Sequence, residues 1–596
     1  MEGADLNLAC AWALVDGLVG GGLRHACVSP GSRSTPLALA LSRHPDIEVH
    51  VHLDERSSAF FAVGLARTSR QPVAIACTSG TAAAEFLPAM VEASQSRVPL
   101  VALTADRPPR LRGTGANQTI QQIGLYGAYA RETLDLPVPE AAGQEAWWRQ
   151  AAREALEAQR TDVLGPVHIN CPFEEPLSPS AGVELPSTMH EALDLPVAPS
   201  ADLTPEETDR LATMVSGARG AVVVGGWPGD LTNEVMFWAR TMSWPVIAEP
   251  ISNARVPDAS LLAGQSLLGS RAWVEAHRPD VVIQFGAAPT TRATQSFVAS
   301  AERSIVADRW HLDSDPEHLA SWRIAVDPGA VSGALRDRPV EQGGVGVAVA
   351  GPRSTDEVDE LWARRLLPPP QDWLPAWRDG DRRARAALDD FLDGIGEPFE
   401  PRVARDVAAS IPDGGTLVVG NSTPIRDLDL TMAPRDGLRV MANRGASGID
   451  GLVSTSLGVA AVAPGPTVAL LGDLSFLHDV GALAWASHQG TDLCIVVIAN
   501  GGGELFSQLP QRDLPEHRDL FVTPHGADIG ALSRAAGANH LRIERAADLV
   551  PSLLSAFGAG LQVIEVAVDA AEALVLRAHS RRAVEAGLRD APDAPR

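Results

Sequence analysis

One pattern recurs along the whole chain: a short apolar run, a turn containing Gly or Ser, and then a helical stretch. Continuous apolar strands that alternate with helices are typical of parallel sheets covered by helices on both faces. The predicted fold class is therefore α/β, with doubly wound parallel-sheet domains that bind ligands beyond the carboxyl ends of their strands. The predicted strands cover residues 25–29, 47–52, 73–77, 100–104, 167–170, 221–224, 246–248, 281–285, 304–307, 416–419, 438–441, 468–471, 493–498 and 563–568.

Two proline-rich stretches divide the chain into three segments. Residues 172–205 contain seven prolines, too many for a helix interior, and residues 338–370 end in three consecutive prolines. At about 100–200 residues per domain, a chain of this length accommodates three such units. We therefore predict three α/β domains, over residues 1–185, 200–340 and 395–580.

The chain contains no lysine, so all 49 of its Lys and Arg residues are arginine. No lysine Schiff base can form, which excludes lysine aldolase and pyridoxal phosphate chemistry, and the lysine of a P-loop is also absent. The net charge of −25 argues against nucleic acid as the main partner, because binding it requires neutralisation of phosphates.

The N-terminus lacks the basic region of a signal peptide, and no run of about 18 apolar residues is free of charges and prolines. We therefore expect neither a signal peptide nor a membrane span. The five cysteines are scattered, without a CxxC pair, and are interpreted as buried thiols of a cytoplasmic protein.

A candidate metal and phosphate site follows two neighbouring strands of the third segment. Gly472 and Asp473 come directly after the strand predicted at 468–471, and Asn500 follows the strand predicted at 493–498. The spacing of 27 residues fits one β-α-β unit with both side chains at the same sheet edge. Their oxygens suit Mg²⁺, and the glycines after Asn500 allow backbone amides to approach a diphosphate. Taken alone, the motif is equally compatible with an ordinary β-α turn.

Glu55 is the second candidate, at the junction between the strand predicted at 47–52 and a helix rich in small residues. An acid that starts a helix is favoured by the helix dipole, and this is the simpler interpretation of Glu55 by itself. An early Glu combined with a late Gly-Asp and Asn-Gly, with an α/β domain between them, is the layout of thiamine diphosphate enzymes. There a buried Glu bonded to the aminopyrimidine promotes removal of the C2 proton.

Longer motifs narrow the family. The string SPGSRSTPL occupies residues 29–37, and NRGASGIDG occupies residues 443–451; further motifs cover residues 78–82, 104–109, 115–118 and 420–422. With these motifs the chain closely resembles the 2-succinyl-5-enolpyruvyl-6-hydroxy-3-cyclohexene-1-carboxylate synthases, the thiamine diphosphate enzymes of menaquinone biosynthesis. The resemblance extends over all three segments.

The resemblance implies a transferase reaction. Thiamine diphosphate, held with Mg²⁺ or Mn²⁺, decarboxylates 2-oxoglutarate, and the succinyl carbanion equivalent adds to isochorismate. The first domain would bind the pyrimidine, the central domain would be nucleotide-binding-like, and the third would bind the diphosphate. The family implies at least a homodimer, with a homotetramer as the expected form, because its first and third domains meet across a subunit interface.

The resemblance also implies individual roles. Glu55 would contact the pyrimidine N1′, Ile449 would force the cofactor into its bent conformation, and Asp473, Asn500 and the Gly502 carbonyl would hold the metal. The implied substrate pocket consists of Ser32, Arg33, Arg107, Gln118, Arg292, Ser422, Arg426 and Arg444. The other implied cofactor contacts are Ser29, Pro30, Gly31, Thr81, Asn117, Ser447, Gly448, Gly472, Leu474, Ser475, Gly503, Leu505, Phe506 and Leu509.

The chemistry of the substrates agrees with an arginine-rich pocket, because arginine binds carboxylates through a bidentate fork. Arg33 and Arg107 follow strands of the first segment, whereas Arg426 and Arg444 lie in the third. They can meet only if those domains face each other. For any one of them a surface salt bridge is the alternative. Arg292 departs from the family, which often has lysine there.

Three rival interpretations remain to be distinguished. Another thiamine diphosphate enzyme, such as an acetolactate synthase or a 2-oxoacid decarboxylase, would act on smaller monocarboxylates. A non-catalytic relative would bind a nucleotide or a protein. A dinucleotide-binding protein has little support, because no GxGxxG lies between a strand and a helix. His50 and His52 point to the same face of their strand, but this pair alone does not predict a zinc site.

Overall fold

The computed structural model describes residues 3–160, 163–185, 187–188, 192–193, 201–310, 314–336 and 366–589. Most of the second proline-rich stretch, 338–370, and part of the first, 172–205, therefore lie outside the described residues. The described chain forms three parallel sheets flanked by helices, which confirms the predicted α/β fold class.

The described strands are β1 His25–Val28, β2 Glu48–Val51, β3 Val73–Cys77, β4 Leu100–Asp106, β5 Thr133–Asp135, β6 Val167–Pro172, β7 Gly220–Val224, β8 Val246–Ala248, β9 Val281–Phe285, β10 Arg303–Ala307, β11 Trp322–Ile324, β12 Thr416–Val419, β13 Arg439–Met441, β14 Thr467–Gly472, β15 Leu493–Ala499, β16 Asn539–Ile543 and β17 Leu561–Ala567.

The described α-helices are α1 Ala4–Gly20, α2 Thr35–Arg43, α3 Glu55–Ser69, α4 Thr81–Glu85, α5 Leu87–Ser96, α6 Glu145–Ala158, α7 Pro205–Val215, α8 Thr232–Met236, α9 Gly264–Leu268, α10 Arg271–Ala276, α11 Arg292–Ser300, α12 Pro328–Arg336, α13 Trp373–Asp393, α14 Glu400–Ser410, α15 Thr423–Thr431, α16 Leu452–Val462, α17 Asp473–His478, α18 Gly481–Ala486, α19 Ile529–Ala535, α20 Leu549–Ala556 and α21 Ala570–Arg589.

The first and third sheets have the same strand order. The first runs β2-β1-β3-β4-β6-β5, and the third runs β13-β12-β14-β15-β17-β16, while the middle sheet runs β11-β10-β9-β7-β8. Every residue of the central strands β3, β4, β7 and β9 is buried, and in β14 only the last residue, Gly472, is partly exposed, as expected for parallel sheets with helices on both faces. The carboxyl ends of these strands carry the candidate site residues.

The five cysteines are buried and unpaired with one another, which confirms their interpretation as buried thiols. Within the described residues, no helix is both long enough and apolar enough to cross a membrane.

Helices α3 and α16 bring the first and third domains of one chain together. A methyl group on Gly64 would overlap the Thr455 carbonyl oxygen, and one on Gly458 would overlap the Phe61 carbonyl oxygen. The Thr455 hydroxyl also donates to the Phe60 carbonyl, at 3.2 Å. The two helix backbones are therefore in direct contact, and α3 carries Glu55 at its first position.

We expect Gly458→Ala to destabilise the protein by about 1–3 kcal/mol, because the added methyl group meets a backbone carbonyl that can move only with its helix. A fall in the thermal unfolding midpoint measures this. The matched control is Gly333→Ala in α12, where a methyl group would have no neighbour within 4 Å. An unchanged midpoint for Gly458→Ala would contradict the close packing of the two helices.

Candidate active site

Glu55 lies on the wall of an open cleft of about 610 Å³. Its helix begins there because Asp54 caps it: the Asp54 carboxylate accepts from the backbone N–H of Arg56, at 2.9 Å. Partial burial raises the pKa of Glu55, and the nearby Asp54 and Glu85 carboxylates act in the same direction. Glu55 can therefore hold a proton more readily than an exposed glutamate. The other lining residues are Pro30, Asp54, Arg56, Thr78, Thr81, Ala82, Glu85 and Gln118.

The loop after β1 forms one side of this cleft. Gly31 packs so closely on Thr78 that any side chain at this position would overlap it, and Pro30 lines the cleft directly. Ser29 is fully buried, and its hydroxyl has no hydrogen-bond partner among the described residues. Ser32 is exposed, and its carbonyl accepts from the Thr35 hydroxyl at 2.7 Å.

The guanidinium groups of Arg33 and Arg107 lie close enough to interact electrostatically. Arg33 donates to the Phe173 carbonyl at 2.9 Å and to the Glu175 carboxylate at 3.0 Å. Arg107 donates to the Ser79 hydroxyl. Burial lowers the pKa of Arg107, and the positive charge of Arg33 lowers it further. The pair lies at the carboxyl edge of the first sheet, where the Asp106 and Glu175 carboxylates partly offset the effect of burial on the pKa of Arg107.

Three further predicted residues lie at this edge. Thr81 begins α4 and lines the cleft with Gln118, whose amide donates to the Ser79 carbonyl at 2.9 Å. Gln118 has φ +57°, an uncommon left-handed conformation for a residue other than glycine. Asn117 is exposed directly before it. The first-domain residues predicted from sequence thus lie on neighbouring loops.

Asp473 and the glycine loop meet at the edge of the third sheet. Asp473 is 1% exposed; its carboxylate accepts from the backbone N–H of Leu474 and of Gly501, each at 2.7 Å. His525 Nε2 lies 3.2 Å from the same carboxylate. Burial raises the pKa of Asp473, although the His525 contact and the two N–H donors oppose this. Gly472 and the buried Ser475 flank Asp473, as the motif predicts.

Asn500 and its glycines complete this loop. The Asn500 amide lies 3.5 Å from Glu400, which Arg577 contacts at 3.2 Å. Gly502 has φ +149°, and any side chain there would overlap the Val522 carbonyl oxygen. The Gly503 N–H donates to that same oxygen, at 2.7 Å. The loop therefore requires glycine for close backbone packing, and it places Asn500 beside Asp473.

The predicted apolar wall follows the glycines. Leu505 and Phe506 lie on a short 3₁₀ turn, Glu504–Gln508, and Leu509 comes directly after it. All three side chains are half-buried, and the Phe506 ring packs against Phe521 with ring centroids 5.5 Å apart.

The loop at 443–451 is fixed by contacts with both domains. Asn421 donates to the Gly448 carbonyl at 2.7 Å and accepts from Arg444 at 2.8 Å. Glu92 of the first domain accepts from the N–H groups of Gly445 and Ala446, at 3.0 and 2.7 Å. Ser447 and Ile449 remain exposed, Ile449 at 39%.

Arg426 and Arg444 form a second arginine pair, at the third sheet. Arg426 donates to the Ser422 carbonyl at 2.6 Å. Burial lowers the pKa of both arginines, and the buried Glu249 carboxylate of the middle domain partly offsets this. Arg292 starts α11 in the middle domain and is exposed. It lies two residues after Thr290, whose N–H donates to Glu249.

The predicted residues thus form two groups within one chain. One surrounds the Glu55 cleft, and the other surrounds Asp473, Asn500 and the loop at 443–451. Only first-domain residues line the Glu55 cleft in the described part of the chain. Arg56, which lines this cleft, donates to the His478 carbonyl at 3.1 Å, at the end of α17 away from Asp473.

Sequence reasoning did not find four supporting acids and bases. Glu92, Glu400 and His525 contact the 443–451 loop, Asn500 and Asp473 in that order, and Glu249 acts electrostatically on Arg444. Each lies far along the chain from its partner. None belongs to a local motif. The one sequence signal that could have identified them is that each is a charged or titratable side chain next to an apolar helix or strand.

Three family descriptions match the chain. They are "Thiamine pyrophosphate enzyme, N-terminal TPP binding domain" over residues 9–125, "Middle domain of thiamine pyrophosphate" over residues 200–326, and "Thiamine pyrophosphate enzyme, C-terminal TPP binding domain" over residues 430–566. The first match contains Glu55, and the third contains Asp473 and Asn500.

Curated relatives match almost the whole chain. A 2-succinyl-5-enolpyruvyl-6-hydroxy-3-cyclohexene-1-carboxylate synthase of Thermobifida fusca is 41% identical over 590 residues, 98% of this chain and 100% of the relative. Synthases of the same name from Chloroflexus aurantiacus and Saccharopolyspora erythraea are each 38% identical, over 93% and 95% of this chain and 92% and 96% of their own lengths.

Proposed function

We propose the activity of this protein from the premise that the chain belongs to the 2-succinyl-5-enolpyruvyl-6-hydroxy-3-cyclohexene-1-carboxylate synthase family of thiamine diphosphate enzymes. It is a transferase of menaquinone biosynthesis, which decarboxylates 2-oxoglutarate and joins the succinyl unit to isochorismate. The observation that carries this assignment is the similarity over 98% of the chain, which includes the residues of both site groups.

The residues present fit thiamine diphosphate. The Glu55 cleft has room for a ring system, and the buried Ser29 hydroxyl offers an unused hydrogen-bonding atom beside it. Gly502 and Gly503 allow close backbone packing, which holds this loop at the sheet edge beside Asp473, where a diphosphate would bind. When bound, the cofactor supplies the electron sink that allows 2-oxoglutarate to lose CO₂.

Glu55 would hold the proton that this chemistry requires. Burial raises its pKa, so its carboxyl takes up a proton more readily than an exposed glutamate and can share it with a ring nitrogen. Ile449, exposed in the 443–451 loop, would offer an apolar surface against the cofactor.

The two arginine pairs would bind the substrate carboxylates. Arg33 and Arg107 stand beside the Glu55 cleft, and Arg426 and Arg444 stand beside the third-domain loop. Two fixed guanidinium groups in each pair match a dicarboxylate better than one, because each can form a bidentate contact. Ser32, Gln118, Ser422 and Arg292 would complete the pocket.

Asp473 and Asn500 would hold Mg²⁺ or Mn²⁺, with the Gly502 carbonyl as the third protein ligand. All three are hard oxygen donors, and such a cation keeps its remaining positions for phosphate oxygens and water. The hydrogen bond from the Gly501 N–H keeps the Asp473 carboxylate in place before a metal binds.

We also propose that the complete site lies between two subunits. No third-domain residue of the described chain lines the Glu55 cleft. A homodimer is the smallest assembly that completes both sites, and a homotetramer is two such dimers.

The buried free thiols favour the reducing cytoplasm.

Product analysis tests the proposed reaction. With 2-oxoglutarate alone we expect slow CO₂ release; with isochorismate added, we expect faster release and one molecule of adduct for each CO₂. Both are measured on the enzyme loaded with thiamine diphosphate and Mg²⁺. Equal CO₂ release without an adduct would instead indicate a 2-oxoacid decarboxylase.

A further inference from the structure

A cluster of two histidines and one glutamate lies at the amino ends of β1 and β2, away from the candidate active site. His25 and Glu48 are the first residues of these two parallel strands and are paired in register. His50 follows Glu48 by two residues, so its side chain lies on the same face of the sheet. One ligand atom from each residue lies within 4.8 Å of the others.

The distances suit a shared cation better than hydrogen bonds. His25 Nδ1 lies 3.3 Å from His50 Nε2 and 3.6 Å from Glu48 Oε2. Glu48 Oε1 lies 3.9 Å from His50 Nε2. Good N–H hydrogen bonds span about 2.7–3.2 Å, so all three separations are long for direct bonds. Ligand atoms bonded at about 2.0–2.2 Å to a tetrahedral zinc ion are separated by about 3.3–3.6 Å.

The two histidine rings are held in place by the fold. His50 packs against Phe61 of α3 with ring centroids 5.1 Å apart, and against His25 at 5.5 Å. Glu48 is exposed, so its carboxylate can move by a few tenths of an ångström to bind. Ligands on adjacent strands hold their positions more precisely than ligands on loops.

We propose that His25, His50 and Glu48 form a binding site for Zn²⁺ or a similar transition-metal cation. Two imidazole nitrogens and one carboxylate are a zinc donor set and a poor one for Mg²⁺, which prefers oxygen ligands. Three protein ligands leave the fourth position to water. His52 lies on the same face of its strand as His50 in the sequence pattern, but it is not part of the cluster. The second histidine of the cluster is His25, on the neighbouring strand.

The position of the site indicates what the metal would do. β2 is one of the two edge strands of the first sheet, paired only with β1 among the described strands, and it leads directly into the helix that begins at Glu55. A cation that binds both strands would fasten this edge strand to the sheet. Because it would bind only the folded protein, it would raise the thermal unfolding midpoint.

Zinc titration of the enzyme loaded with Mg²⁺ and thiamine diphosphate tests the proposal, since those ligands occupy the third-domain site. With a competing chromophoric chelator, we expect one Zn²⁺ per chain, bound at least about tenfold more weakly in His25→Asn and in Glu48→Gln. Glu48 is exposed, so Glu48→Gln should not affect folding. The matched control is His318→Asn, an exposed histidine of the middle domain that lies beside Arg323.

Two further readouts locate the metal. Co²⁺ in place of Zn²⁺ should give the visible absorption of a tetrahedral site in the wild-type protein and in His318→Asn, but not in His25→Asn. Zn²⁺ should raise the unfolding midpoint of the same two proteins, whereas additional Mg²⁺ should not. Wild-type protein that binds Zn²⁺ no more tightly than His25→Asn, or equal losses in the control, would overturn the site.

Discussion

Glu55→Gln should lower the turnover of the loaded enzyme by about 10²–10⁴-fold, the usual contribution of a positioned acid or base. Glutamine preserves the size of the side chain and its place at the start of α3, so the Asp54 cap and the packing of α3 on α16 remain. What is lost is a carboxyl whose pKa burial has raised and which can therefore hold and share a proton. The rates of CO₂ release and of adduct formation measure the effect.

Cofactor affinity separates two roles for Glu55. If Glu55 promotes proton transfer, Glu55→Gln should reduce turnover far more than it reduces the affinity for thiamine diphosphate, because the residues around Asp473 are unchanged. The control is Glu154→Gln, an exposed glutamate on α6. Turnover equal to that of the control would contradict a role for Glu55 in the reaction, and parallel losses of binding and turnover would show that it anchors the cofactor.

The strands show what local sequence can and cannot predict. Every predicted strand is present, with ends that differ by at most two residues. Among the described strands, the pattern missed Thr133–Asp135, Trp322–Ile324 and Asn539–Ile543, and each is one of the two edge strands of its sheet. An edge strand is covered on fewer sides, so polar residues are tolerated and the continuous apolar run that predicts a central strand is lost.

The same limit applies to the candidate site. Spacing alone predicts that Asp473 and Asn500 lie at one sheet edge, because strand ends in a parallel sheet share an edge; in the structure the N–H of Gly501, the residue after Asn500, donates to the Asp473 carboxylate. Glu92 contacts the backbone of Gly445, 353 residues away, and no local pattern predicts such a pair. Long-range partners depend on how the domains pack, which here depends on the glycine contacts between α3 and α16.

Asp473→Asn should weaken metal-dependent thiamine diphosphate binding by at least about a hundredfold, more than supporting residues of metal sites usually contribute. The Asp473 carboxylate accepts from two backbone N–H groups at once, one with each oxygen. An amide would turn its own NH₂ toward one of them and would carry no charge for the cation. Titration of the cofactor at fixed Mg²⁺ measures the loss. The control is Asp492→Asn, exposed at the opposite end of β15, which should bind normally.

Mixed subunits then show where the complete site is formed. If Glu55 of one chain acts with Asp473 of another, co-expression of Glu55→Gln and Asp473→Asn chains should restore about a quarter of wild-type activity, because random pairing makes half the dimers mixed and each has one intact site of two. Each variant alone stays inactive. A site built within one chain would contain one substitution in every subunit, so no activity would return. Among the described residues, only first-domain side chains line the Glu55 cleft of a chain. We therefore expect activity to return, because the third domain that completes the cleft would come from the other chain.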